Sequence, residues 1–212
     1  KNSKINFQKK IMSPIVLGYP YWSTIDPSNI CNLRCVFCPT GQQRNSREKS
    51  ILKFEDFKKI IDKLGPYLIF IEFCNWGEPL LNPEIEKMIL YSKKFGIKNR
   101  ISTNLHLSLT EHKIKNFITC GVDFIIVSLD GASQETYEKY RVGGNFNLVF
   151  NNLKNMVEIK KKLKIRYPEI HWQFLVFKHN EHEIEKAKKL ALEIGIDSIG
   201  FTAPYCSIDW AS

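Results

Sequence analysis

Short apolar runs alternate along this chain with longer stretches in which apolar residues recur every three or four positions. The first pattern predicts strands and the second predicts helices. WSTIDPS at 22–28 reads as a strand, and FEDFKKIIDKL at 54–64 places Phe54, Phe57, Ile60, Ile61 and Leu64 on one helical stripe. YLIFIEFC at 67–74 is a nearly unbroken apolar run, the pattern of a strand buried on both faces. Asn82 then caps a helix that opens on Pro83, carries Ile85, Met88, Ile89 and Phe95, and stops at Gly96. KNRIST at 98–103 is the next strand, and Thr110 caps the helix of Ile114, Phe117 and Ile118, closed by Gly121. DFIIVSL at 123–129 and IHWQFLVF at 170–177 are strands flanking a helix over about 145–163. Asn180 and Glu183 have the spacing of a capping box before a helix lined by Ile184, Ala187, Leu190, Ala191 and Ile194. SIGFTA at 198–203 is the sixth strand.

Six strands alternating with five recognisable helices predict an α/β fold with parallel strands and outer helices. A closed barrel has eight such units, so six give a partial (β/α)6 TIM-like barrel. No composition shift marks a second domain. The expected division is a lead-in at 1–21, a core at 22–204, and the start of a truncated or missing C-terminal region at 205–212.

Composition narrows the class. With 212 residues and 43% hydrophobic content, the chain can bury a sizeable core. No run of about 18 apolar residues is present, and no signal-peptide core follows the basic start, so neither a membrane partner nor export is expected. The net charge of +9 sits mostly on lysines at helical spacing. That describes solvated helix faces, or attraction to an acidic partner. Aromatics are not interleaved with the lysines as a base-stacking surface needs, so nucleic acid is a minority reading that charge alone keeps open.

In α/β folds of this kind the working groups gather at the C-terminal ends of the strands. Here those ends carry CNLRCVFC at 31–38, CNWGEP at 74–79, STN at 102–104 and SLDG at 128–131. Gln173 lies on the fifth strand. The six cysteines do not suit a secreted disulfide scaffold, which is short and cysteine-dense, so a cytoplasmic setting is expected. A structural zinc site needs four ligands, and the second knuckle is missing. A four-iron cluster also takes four ligands. Three close cysteines leave one iron open, which is useful if a substrate or cofactor fills it.

The loop CNLRCVFC resembles the CxxxCxxC loop of the radical S-adenosylmethionine (radical SAM) superfamily. NWGEP resembles that family's GGEP segment and STN its third-strand STNG. SLDG with YRVGGNFNLVFNNL, and WQFLVFKHNEHEIEKAKKLALEIGID, resemble members carrying a SPASM or twitch extension, which is expected to be absent here. The resemblance spans about 22–204 and implies two cofactors, a [4Fe-4S] cluster and S-adenosyl-L-methionine. It implies that Cys31, Cys35 and Cys38 each bind one iron. It places Phe37 near the adenine, Gly77, Glu78 and Pro79 at the methionine amino group, and Ser102, Asn104, Ser128, Asp130, Arg141 and Gln173 along the cofactor. Departures are Asn75-Trp76 for the usual glycine pair and Leu105 for a glycine.

The activity implied is reductive cleavage of the sulfonium to a 5'-deoxyadenosyl radical that abstracts a substrate hydrogen. The expected substrates are a peptide or protein side chain, or a small alcohol or sugar. The partners are a low-potential electron donor of flavodoxin or ferredoxin type and that substrate. The competing readings are a tRNA-modifying enzyme of the same family and a non-catalytic protein that binds a cluster and S-adenosylmethionine. Cys74 reads as a packed thiol or a donor in radical quenching, Cys120 reads as structural, and Cys206 has no ligand role.

Overall fold

A computed structural model describes residues 18–44, 48–204 and 207–211. The expectations placed on 1–17, and on Cys206, lie outside the described residues. Six parallel strands, β1 (Trp22–Ile25), β2 (Phe70–Phe73), β3 (Lys98–Thr103), β4 (Phe124–Ser128), β5 (Glu169–Leu175) and β6 (Ser198–Thr202), form one sheet in sequence order. Among the described residues each strand pairs with its sequence neighbours, with β1 and β6 at the two ends of the sheet. The helices are α1 (Phe54–Leu64), α2 (Ile85–Lys93), α3 (Glu111–Thr119), α4 (Gln134–Tyr140), α5 (Phe146–Leu163) and α6 (Ile184–Ile194). This is the partial (β/α)6 TIM-like barrel expected from the alternation. Among the described residues no helix is long and apolar enough to cross a membrane.

Local chemistry sets most boundaries. The Thr110 hydroxyl accepts the Lys113 N–H and Asn145 Oδ1 accepts the Leu148 N–H, each a cap worth about 1 kcal/mol. Asn82 Oδ1 accepts the Glu84 N–H, while its amide donates to Pro27 O and Leu52 O and ties the helix entrance to the first loop. Gly96, Gly121 and Gly195 leave their helices with positive φ, where a side chain is strained.

The register builds the core in layers. Phe73, Ile101, Ile125 and Ile170 are successive partners across four strands, and Thr103, Val127 and Trp172 form the next layer. All seven are buried beneath the helices. The other, concave face carries Glu72, Arg100, Ser102, Ser128 and Gln173, which are only half-buried.

Three expectations need correction. The run at 67–74 is not a strand buried on both faces: Phe70 and Glu72 are half-buried and Ile69 is exposed. The capping box at 180–183 does not form. Glu183 instead accepts the Ala132 N–H at 2.7 Å and the Thr136 hydroxyl. Asn180 spans Asp130 O and Leu175 O with its amide. Finally, α4 is a helix absent from the five expected. QETYEKY is short and polar, and what it buries is Thr136, Tyr137 and Tyr140, which no aliphatic stripe announces.

Candidate active site

The cysteine loop leaves β1 and crosses the C-terminal rim. It is pinned from below by α4, because Arg34 N–H donates to Val142 O at 3.0 Å and Val36 N–H to Tyr140 O at 3.2 Å. Its own turns are closed by Cys38 N–H to Cys35 O and by Gln42, whose side chain donates to Cys35 O at 3.0 Å. A Cβ on Gly41 would stand 2.7 Å from Cys35 N, so only glycine allows this close return. Leu33, Cys35, Tyr140 and Phe177 form a small separate core behind the loop, with Phe37 and Trp210 packed against it.

This arrangement opens Cys31, Cys35 and Cys38 into one cleft of about 360 Å³. Glu78, Ser102, Asn104, Ser128 and Arg141 line the same cleft. Phe37 and Gly77 also line it, as do Cys74, Asn75, Trp76, Thr103 and Tyr140. Ala203 and Pro204, beyond β6, form its far edge. Ten of the thirteen expected site residues are therefore brought together. Pro79, Asp130 and Gln173 lie outside the wall.

Each polar wall group is held by named partners. Glu78 is 2% exposed, and its carboxylate accepts the Thr103 hydroxyl at 2.6 Å, the Asn104 N–H at 2.8 Å and the Leu80 N–H at 3.0 Å. A carboxylate has about four lone-pair sites, so about one remains for a donor in the cleft. Burial raises the Glu78 pKa, and these hydrogen bonds oppose the rise. Arg141, at the end of α4, gives Nε–H to Asp130 at 2.6 Å, and its Nη1 lies 3.7 Å from Cys35 Sγ. Asp130 is fully buried and also accepts the Leu175 N–H at 2.8 Å. It fixes the guanidinium from behind, leaving further N–H groups of the fork for an anion.

Asn104 connects the third strand to the loop. Its amide donates to Asn32 Oδ1 at 2.9 Å and contacts Cys31 Sγ at 3.5 Å. The residue after it, Leu105, has φ 53°, the left-handed conformation that glycine would adopt freely. Leucine holds it because Thr103 Oγ1 accepts the Leu105 N–H and the Asn152 amide donates to Leu105 O and Leu107 O. The turn thus survives the loss of the glycine. The other departure has a different consequence. Trp76 is 47% exposed at the cleft mouth. The Trp76 and Gly77 N–H groups donate to Asp26. Gly77 itself is required: a Cβ there would stand 1.5 Å from Ser28 O.

Burial pushes the Cys31 thiol up to about 11 and raises that of Cys35, where Arg141 opposes the rise. Thiolate ligation must overcome that protonation, as charge from a bound cluster does. Among the described residues no three His, Cys, Asp or Glu side chains converge as ligands of a single ion. A cluster asks something different, with each thiolate reaching its own iron. The residues present fit such a group: three thiols lining one cleft, a cation beside Cys35, and a partly satisfied carboxylate in the same cleft.

Sequence reasoning missed Thr103, Tyr140 and Asp26. Thr103, inside the STN motif but without a role read from it, supports Glu78, and Asp26 supports the Trp76–Gly77 backbone. Cys74, read as a packed thiol or a donor in radical quenching, lines the cleft, and burial pushes its thiol up to about 11.

The comparisons with known proteins agree with this geometry. The family model of the radical SAM superfamily matches residues 25–191, and the chain belongs to that superfamily, whose members use a [4Fe-4S] cluster and S-adenosylmethionine. An AdoMet-dependent heme synthase of Methanosarcina barkeri is 30% identical over 166 residues, covering 78% of this chain and 45% of the relative. A GTP 3',8-cyclase of Clostridium botulinum is 25% identical, covering 62% of this chain and 42% of the relative. Streptococcus suis SuiB bound to S-adenosylmethionine shares the fold, with a TM-score of 0.75 at 17% identity, covering 99% of this chain and 46% of SuiB. The chain spans less than half the length of these relatives.

Proposed function

We propose that this chain is the catalytic core of a radical SAM enzyme. The observation that carries the reading is the convergence of the three loop cysteines, Glu78 and Arg141 on one cleft. When bound, the cluster and S-adenosylmethionine supply one-electron cleavage of the sulfonium and a carbon radical able to take a hydrogen atom from substrate. The protein's own part is binding, orientation and exclusion of water. Cys31, Cys35 and Cys38 hold the cluster, each as a thiolate. Glu78 accepts the methionine ammonium at its remaining lone-pair site, flanked by Gly77 and Pro79. Arg141, positioned by Asp130, donates to the methionine carboxylate. Ser102, Asn104 and Ser128 line the cofactor's path, Phe37 flanks the adenine, and Gln173 supports that path from beneath.

The substrate of this reading is a peptide or a small molecule that enters past Trp76 and Pro204, with the electron coming from a flavodoxin- or ferredoxin-type donor in a reducing cytoplasm. A neighbour of this fold, SuiB, has been solved with its precursor peptide SuiA. The relatives named for heme and GTP chemistry favour a small molecule as the second reading. Anaerobic reconstitution followed by dithionite and S-adenosylmethionine tests the core claim. The expected product is 5'-deoxyadenosine with methionine. Protein that holds the cluster but forms neither would leave a non-catalytic binding protein.

A further inference from the structure

The cysteine loop has a second side. Besides the cleft, its residues line a second groove of about 280 Å³, whose wall includes Asn29, Cys31, Arg34, Gly41, Gln43 and Lys49. Cys31 is the one residue common to the groove and the cleft. The groove and the cleft therefore adjoin at Cys31, one of the three cysteines read as cluster ligands. Arg34 and Lys49 are exposed, and among the described residues no acidic side chain lines the groove. Among the described residues neither cation makes an ion pair. Arg44, also exposed, follows Gln43 at its edge. The other wall groups are spent on the fold: the Asn29 side chain donates to Glu48 O and accepts the Ser50 N–H.

The volume matters. Small-molecule pockets run to roughly 300–1,000 Å³, and this groove falls just below that range. It has room for one or two side chains presented by another protein, and its two unpaired cations select carboxylates. The whole chain, at +9, would also draw an acidic partner in from a distance. In the functional reading above, the cleft is committed to S-adenosylmethionine and substrate, and the groove is a separate surface.

We propose that this groove docks an acidic one-electron carrier of ferredoxin type, whose carboxylates pair with Arg34 and Lys49 and whose electron enters at Cys31. The proposal rests on the radical SAM reading above and names the electron-entry face for it. The step balances simply. The carrier's reduced iron–sulfur centre is oxidised by one electron, the chain's cluster is reduced by that electron, and no bond forms or breaks.

The test uses cluster-loaded protein and an acidic ferredoxin as the probe. Lys49→Glu, the milder Lys49→Gln, and Arg34→Gln are compared with wild type and with Lys162→Glu, an exposed lysine in the last turn of α5. Ferredoxin affinity is titrated at rising salt, and the rate of cluster bleaching is followed with reduced ferredoxin or with dithionite. Lys49→Glu should weaken binding about tenfold at low ionic strength and slow ferredoxin-driven bleaching in proportion. Lys49→Gln and Arg34→Gln should fall between it and wild type, and all three should flatten the salt dependence. Iron content and dithionite-driven bleaching should match wild type, and Lys162→Glu should stay within about twofold of it. Wild-type affinity in both Lys49 variants, or an equal loss in Lys162→Glu, overturns the proposal. If dithionite yields no 5'-deoxyadenosine from wild type, the functional reading falls while the titration still decides the docking face.

Discussion

Two faces of one sheet differ in what they ask of a side chain. Beneath the helices, Phe73, Ile101, Ile125 and Ile170 meet in register and leave nothing exposed. On the concave face the neighbouring positions are Glu72, Arg100, Ser102, Ser128 and Gln173. The first set is explained by burial alone. In the second, Arg100 pairs with Glu72 at 2.7 Å, while Ser102 and Ser128 line the cleft, where half-buried polar groups contribute little to folding unless something binds them. Two cysteines make the same contrast. Cys35 and Cys120 are each 5% exposed. Cys120 gives its thiol to Phe117 O at 3.0 Å within the core, and burial pushes it up to about 12. Cys35 has a guanidinium nitrogen 3.7 Å away and a cleft in front of it. Equal burial therefore does not mean equal role; the neighbours decide.

Substitutions can break this contrast. The largest effect belongs to Cys35→Ala, which should take reconstituted iron from about four per chain to almost none. Cys120→Ala should keep the iron and lose only about 1–2 kcal/mol on denaturant unfolding. Equal iron loss from both would erase the distinction. Next is Trp172→Ala on the covered face. Trp172 is fully buried and donates to Leu129 O at 2.7 Å, so its removal should cost about 3–5 kcal/mol by urea unfolding. Glu78→Gln comes third. It removes a charge from the cleft and should weaken S-adenosylmethionine binding by roughly 10–100-fold in equilibrium dialysis, the worth of a charge-assisted hydrogen bond. The smallest effect is that of Gln173→Ala. It sits one residue from Trp172 on the opposite face and outside the cleft wall. It should cost less than about 1 kcal/mol and shift cofactor affinity less than about threefold. A large loss there would place Gln173 in direct contact with ligand.

The covered face was the more legible one from sequence. The stripe at 54–64, the strand at 98–103 and the helix closed by Gly195 have the expected ends, because periodicity and glycine mark them directly. Helix α4 was invisible, since QETYEKY buries two tyrosines and a threonine rather than an aliphatic stripe. That omission matters, because α4 both supports the cysteine loop and delivers Arg141. The site was legible mainly through resemblance. Spacing identified the three cysteines as a group, but only the motif order suggested Glu78 and Arg141. Asp130 shows the limit of such transfer: its carboxylate turns away from the cleft wall to hold Arg141 and the Leu175 N–H. Thr103 and Asp26 were missed because each works through a neighbour.

The central claim is that the open iron of a cluster held by this loop is where S-adenosylmethionine binds. Electron paramagnetic resonance of the reduced, reconstituted protein tests it most directly. The spectrum should change on adding S-adenosylmethionine, and the concentration required should rise in Glu78→Gln. A reduced-cluster signal that saturating S-adenosylmethionine leaves unaltered in the wild-type protein would contradict the account.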